Sequence, residues 1–136
     1  MKGTPWLLAA TLLLGCGPFV PVTDLSTVAQ DSVKKAAQIP VFEFGQPANH
    51  PPIADRLGIV SAYSCKHLLW DPPATKEDAL LKLRLKALEM GAHGIVDVVF
   101  ENKGTGLDTN CWETWQAKGT VVTFQTISSK ATSTQS

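Results

Sequence analysis

No charge surplus marks this chain. Twelve Lys and Arg are balanced by twelve Asp and Glu over 136 residues, so the basic stripe expected of a nucleic-acid-binding protein is missing. Long hydrophobic runs are missing too. The one extended apolar stretch, residues 6–14, is about half of the roughly twenty residues a membrane-spanning helix needs. The three histidines, His50, His67 and His93, fall in three separate predicted loops. The three cysteines form no C-x-x-C, and no H-x-x-x-H occurs, so the spacing typical of a zinc site is absent. No glycine-rich loop lies between a strand and a helix to cradle phosphate. Ser61 and Ser64 lack the strand–turn–helix context of a nucleophile elbow. These absences argue against an enzyme, a resident metal and a bound cofactor.

What the chain does carry begins at its first residue. Residues 1–5 hold one positive charge, Lys2, residues 6–14 are apolar, and small Gly15 precedes Cys16. That is the layout of a secretory signal peptide. With cysteine directly after the cleavage point, Leu13-Leu14-Gly15-Cys16 resembles the lipobox of bacterial lipoproteins. The resemblance implies removal of residues 1–15, a thioether-linked diacylglycerol on Cys16 and a further acyl chain on its freed amine. The other reading is an ordinary cleaved signal, or a short membrane anchor, with Cys16 incidental. Two or more acyl chains, at roughly 0.8 kcal/mol per buried methylene, give stable attachment. Gly17 rather than Asp after the cysteine implies, by resemblance to sorting in enteric-type bacteria, delivery to the outer membrane. With Cys16 lipidated, Cys65 and Cys111 remain as an even pair in an exported protein. They read as one disulfide, against the alternatives of a metal site or a reactive thiol.

Residues 16–39 read as the lipidated cysteine and a flexible tether. Residues 17–21 contain two prolines, and the following stretch is polar and Ala-rich, with at most a marginal helix from about Leu25. Fully extended, the tether would reach roughly 75 Å, and as a coil about 27 Å. The domain spans 40–125. Val41 to Phe44 and Arg56 to Tyr63 are expected strands. The spacing predicts a helix from Lys76 to about Met90, opened by Thr75 as cap with Asp78 reaching back to it and closed by Gly91. Its apolar stripe includes Leu80, Leu83, Ala87 and Met90, and its polar face Lys82, Lys86 and Glu89. Arg84 falls within the apolar arc, its stem along the core edge and its head in solvent, or in contact with a partner. Residues 95–100 form an expected central strand, and 112–124 a last strand bent at Gly119. Residues 126–136, mostly Ser, Thr and Gln, are expected to be disordered. The fold class is therefore α+β: a small β-β-α-β-β domain with one mostly antiparallel sheet, a single main helix on one face and one disulfide.

Several residues admit two readings. Asp97, inside an apolar strand, is either a buried acid or, as alternation favours, a side chain on the open sheet face. His93 reads as a turn residue, and His67 as a turn or contact residue. Trp70, Trp112 and Trp115 lie close to the two cysteines in sequence, so a bridge would gather them at one end. There they either cap the core or, with Arg84, form a partner surface.

Leu57-Gly58-Ile59-Val60-Ser61-Ala62-Tyr63-Ser64-Cys65 resembles the L-G-x-V-S-G-x-S-C segment of the RcsF family of outer-membrane lipoproteins. Met90-Gly91-Ala92-His93-Gly94-Ile95-Val96 is similar to that family's M-x-A-N-A-V helix-end and strand-start pattern. Ile39-Pro40-Val41 stands where the family's folded domain begins. The resemblance covers roughly 39–125 and the lipobox. It implies a periplasmic sheet-and-helix domain with Cys65 bonded to Cys111, and a non-enzymatic sensor of envelope stress that signals to the Rcs phosphorelay. Partners implied are outer-membrane β-barrel proteins, their assembly machinery and an inner-membrane regulator. The family's second disulfide has no counterpart, because Ala117 stands at one of its positions and no cysteine occurs at 100–102. The alternative from a different class is a small-ligand or metal-binding lipoprotein, or a purely structural one, of the same fold.

Overall fold

The computed structural model describes residues 17–47 and 49–126. Cys16 and the leader before it lie outside the described residues, as does the expected disordered tail apart from Thr126. Four strands, β1 (Val41–Glu43), β2 (Ile53–Lys66), β3 (Gly94–Asn102) and β4 (Glu113–Phe124), form one sheet in the order β1-β3-β4-β2. The β3–β4 and β2–β4 pairs are antiparallel, and short β1 runs parallel to β3. Helix α2 (Lys76–Glu89) packs on one face of this sheet, and a smaller helix, α1 (Gln30–Ala37), packs on α2. The domain is thus α+β, with a single Cys65–Cys111 disulfide.

The core is the layer between α2 and the sheet. Ala79, Leu83 and Ala87 from the helix meet Ala62, Ile95, Val98, Ala117 and Val121 from the strands, with Ile39 closing one side. Most of the strand contribution follows the alternation of a half-buried sheet. Strand β3 departs from it. Ile95 and Val98, three residues apart, both enter the core, because the register against β4 slips between Val96 and Val99. Asp97 takes up the extra residue of this bulge at φ 54°, a conformation that Asp tolerates better than most. Its side chain is exposed, 3.7 Å from Arg56. Gly119 sits opposite the bulge, where a Cβ would come within 2.8 Å of methyl carbons of both Ile95 and Val98. Close packing therefore requires glycine there. Phe100 pairs with Ala117 across β3 and β4.

Helix α2 starts and stops where its sequence signals stand, but its polar side chains behave differently from expectation. Thr75 Oγ1 accepts from the Asp78 backbone N–H at 3.1 Å, and Gly91 leaves the helix at φ 72°. Asp78 does not reach back to the cap. The Thr75 N–H already donates to Ser64 Oγ at 3.1 Å, which frees the Asp78 carboxylate to bind Lys82 Nζ at 2.7 Å. The expected polar face is also corrected. Lys82 is only 7% exposed, and half-buried Lys86 donates to the Ser61 carbonyl on edge strand β2 at 2.6 Å. Lys82 is drawn in by Asp78 in the cavity that residues 22–26 also line, and Lys86 by the edge of the sheet. Thr75→Ala is expected to cost about 1 kcal/mol, read as a lower urea midpoint with an unchanged m-value. An unmoved midpoint would show that the hydrogen bond from the residue-75 N–H to Ser64 holds the helix start without the hydroxyl.

The stretch expected as a flexible tether lies against the domain. Asp24 caps a single 3₁₀ turn (Leu25–Thr27) by accepting from the Ser26 N–H and hydroxyl, and those two hydrogen bonds hold its carboxyl below the usual carboxylate range. Helix α1 begins at Gln30, not Leu25, and buries Ala36 completely. Arg84 Nε donates to the Ile39 carbonyl at 3.0 Å, fixing the corner between α1 and β1. Small residues let α1 approach α2 closely, and that contact supplies the stability an isolated eight-residue helix would not have.

Candidate interaction surface at the disulfide end

Strands β2 and β3 end, and β4 begins, at the same edge of the sheet, so three connections crowd together there. Lys66 pairs with Glu113 and Asn102 with Trp115. The Cys65–Cys111 bridge joins the end of β2 to the loop 103–112, with Cα atoms 5.7 Å apart. The Trp112 N–H donates to the Lys66 carbonyl at 2.7 Å just beside it.

The loop is shaped by its own polar groups. The Asn110 N–H donates to the Gly106 carbonyl at 3.1 Å, and Asn110 adopts φ 53°, a region where Asn is several-fold enriched. Thr105 Oγ1 donates to the Trp112 carbonyl at 2.6 Å. His67 Nδ1 lies 2.8 Å from the Asn110 carbonyl and donates to it. Across the bridge, the turn 67–71 is closed by Asp71, whose carboxylate accepts from the His67 and Leu68 N–H groups at 3.2 and 2.8 Å. His67 is thereby a structural link between turn and loop.

These locked connections carry apolar side chains outward. Leu107 is 97% exposed, Trp70 79%, Leu69 70% and Trp112 56%. Leu69 and Trp112 border one shallow cavity with Lys66, and Trp112 and Leu107 border a second, of about 280 Å³, with His67. The beginning of the described chain is fastened to the same place. Asn110 Nδ2 donates to the Gly17 carbonyl at 2.9 Å, and the Phe19 N–H donates to the Thr109 carbonyl at 2.9 Å. Phe19 is itself 68% exposed. Residues 22–26 then pass over Cys65, roofing an open cavity of about 650 Å³ that Asp71, Asp78 and Lys82 also line.

The four residues singled out as a partner surface are divided by the fold. Trp70 and Trp112 stand open at the disulfide end. Trp115, on the helix-facing side of β4, packs half-buried against the core, and the corner contact with Ile39 occupies Arg84. Burial lowers the Arg84 guanidinium from its usual value, though an arginine stays charged. Sequence reasoning missed Leu107, Leu69 and Phe19 as surface members. Their signal was faint: large apolar residues placed inside turn-forming stretches, where nothing buries them.

The remaining histidines have local roles. His93 Nδ1 accepts from the Phe124 N–H at 3.1 Å in the turn before β3. His50 stacks on Phe124, with ring centroids 6.1 Å apart, and meets Phe42 edge-on at 5.3 Å. This aromatic group lies at the opposite end of the sheet from the disulfide. Among the described residues, no three His, Cys, Asp or Glu side chains gather as a metal-ligand group, and no helix is long and apolar enough to cross a membrane. Comparison with protein-family models and with curated protein sequences gives no match to this chain.

Proposed function

We propose that this is a lipid-anchored envelope protein, held at the outer membrane through Cys16. In this reading it acts as a non-enzymatic sensor or adaptor of the RcsF type, signalling to the Rcs phosphorelay or a similar pathway by contact with other proteins. The observation that carries the reading is the Cys65–Cys111 bridge. A lone disulfide in a small domain fits an oxidising compartment, and the lipobox-like Leu13-Leu14-Gly15-Cys16 supplies both export and anchorage to reach one. The mechanism is positional: the anchor fixes one end of the domain, and a partner meets a surface elsewhere. The sheet face that the helices leave open is the available one. There Ile59 is 68% exposed, near the Arg56–Asp97 pair and Lys118, a mixed apolar and charged surface of the kind found in transient protein contacts.

In-cell crosslinking of the full-length lipoprotein tests this. Lys118 and Lys103 are exposed and suit it, whereas Lys82, buried and paired with Asp78, does not. Capture of an outer-membrane β-barrel protein or an inner-membrane regulator from Lys118 is expected, together with loss of an envelope-stress response on deletion of the gene. Capture of no envelope protein, with the response intact after deletion, overturns the sensor reading. The 650 Å³ cavity beneath residues 22–26 favours the alternative, a small-ligand-binding lipoprotein. Native mass spectrometry that retained a bound small molecule would support that instead.

A further inference from the structure

We infer that the disulfide end is a membrane-docking surface, whose exposed apolar side chains rest in the interface of the bilayer that holds the anchor. The inference rests on the lipid-anchor reading of Cys16 and goes beyond it by naming what covers Trp70, Trp112 and Leu107.

Two independent observations meet at this end of the sheet. The first is where the chain enters. The Gly17 carbonyl is bonded to the Asn110 side chain and the Phe19 N–H to the Thr109 carbonyl. The Cα of Cys16 is one peptide away from Gly17, about 3.8 Å, so a lipid on Cys16 has no slack behind it. The loop 106–111 must lie at the bilayer surface. The second observation is composition. Of the eleven large apolar residues that stand exposed among those described, six belong to this end: Phe19, Leu68, Leu69, Trp70, Leu107 and Trp112. Tryptophan favours the membrane–water interface, where its ring is buried among acyl chains and its N–H stays wet. Lys66 borders the same cavity as Leu69 and Trp112, placed to meet lipid phosphates while its stem lies on apolar surface. A protein partner would also accept exposed tryptophans, but it would have to fit between this loop and a membrane one residue away.

Emission quenching by brominated lipid separates the outcomes. The mature lipoprotein, purified from cells and reconstituted into phosphatidylethanolamine–phosphatidylglycerol vesicles with brominated acyl chains, is measured as three double variants. W112F/W115F leaves Trp70 in the described domain, W70F/W115F leaves Trp112, and W70F/W112F leaves Trp115; Trp6 departs with the leader. Trp70 and Trp112 are expected to lose roughly half of their emission, as interfacial rings do, and half-buried Trp115 little. Leu107→Asp, at a position free of packing, should reduce the quenching of Trp112. Protein that floats with the vesicles while Trp70 and Trp112 stay unquenched overturns the docking inference and leaves the anchor standing. Rings shielded from an aqueous quencher but not reached by brominated lipid point to a second copy of the protein as the cover and likewise overturn it. A purified protein without the diacylglycerol mass, which does not float, removes the anchor reading and this inference together.

Discussion

Replacing Cys65 and Cys111 together by serine is expected to lower the stability of the domain by about 4 kcal/mol, the value the chain-entropy treatment assigns to a loop of this length. The two cysteines are separated by 46 positions, so their bond removes much of the freedom of the unfolded chain between β2 and β4. Strain relief and residual structure in the unfolded state usually reduce the figure. For a domain whose whole stability is on the order of 5–15 kcal/mol, the loss is large. The double variant is cleaner than either single one, because Cys65→Ser alone would leave a thiol at Cys111, which is nearly inaccessible. The effect should also be local. With the bridge gone, the loop 103–112 loses its tie to β2, and the Gly17 and Phe19 hydrogen bonds lose their fixed platform. Urea denaturation reads the first effect, and hydrogen exchange at residues 17–26 and 105–111 the second. A loss below about 1 kcal/mol would show that the β2–β4 ladder alone holds this end, contrary to the chain-entropy argument.

Leu83→Ala is expected to cost about 3–4 kcal/mol, within the range for a fully buried leucine whose cavity cannot collapse. Leu83 is completely buried between α2 and the sheet, in the same cluster as Ile95, Val98 and Val121. The strands beneath it are held by pairing along most of β4 and the helix is capped at Thr75, so neither side can readily move in to fill the space. Leu107→Ala is the matched control. Its side chain is almost wholly exposed, so its stability change should stay within about 0.5 kcal/mol. Equal effects at the two positions in a thermal or urea melt would contradict the assignment of the core.

How much of this was legible in the sequence differs by element. Helix α2 was nearly complete, from Thr75 to Gly91, because a cap, a three-and-four stripe and a terminal glycine all agree. The Cys65–Cys111 pairing was legible once Cys16 was set aside, since the two cysteines that remain leave one bond to make. Strand β2 was seen only in its middle. Its ends, 53–55 and 64–66, lack β-branched residues except Ile53 and are strand because β4 pairs with them. The bulge at Asp97 was hidden by its neighbours, since a run of valines and isoleucine carries no periodicity to interrupt. The docking of α1 was hidden for the opposite reason. Its buried contacts are alanine and the adjoining Ile39, too small an apolar signal to distinguish a packed helix from a tether. The surface at the disulfide end was half legible. Trp70 and Trp112 drew attention as tryptophans, but which rings face outward depends on strand parity. Trp115 and Ala117 share the helix-facing side of β4, and Trp112 precedes the strand altogether.

Strand β4 sets the distance between the two ends of the domain. Its residues run from Glu113, beside the disulfide, to Phe124, under the His50 and Phe42 rings. At about 3.3 Å per residue those ends stand roughly 36 Å apart. On the lipid-anchor reading of Cys16, with residue 17 fastened at one pole, the aromatic pole stands at a fixed altitude rather than swinging on a leash. A molecule binding near Phe42 and Phe124 would therefore meet this protein at one height, measured out by a stiff sheet.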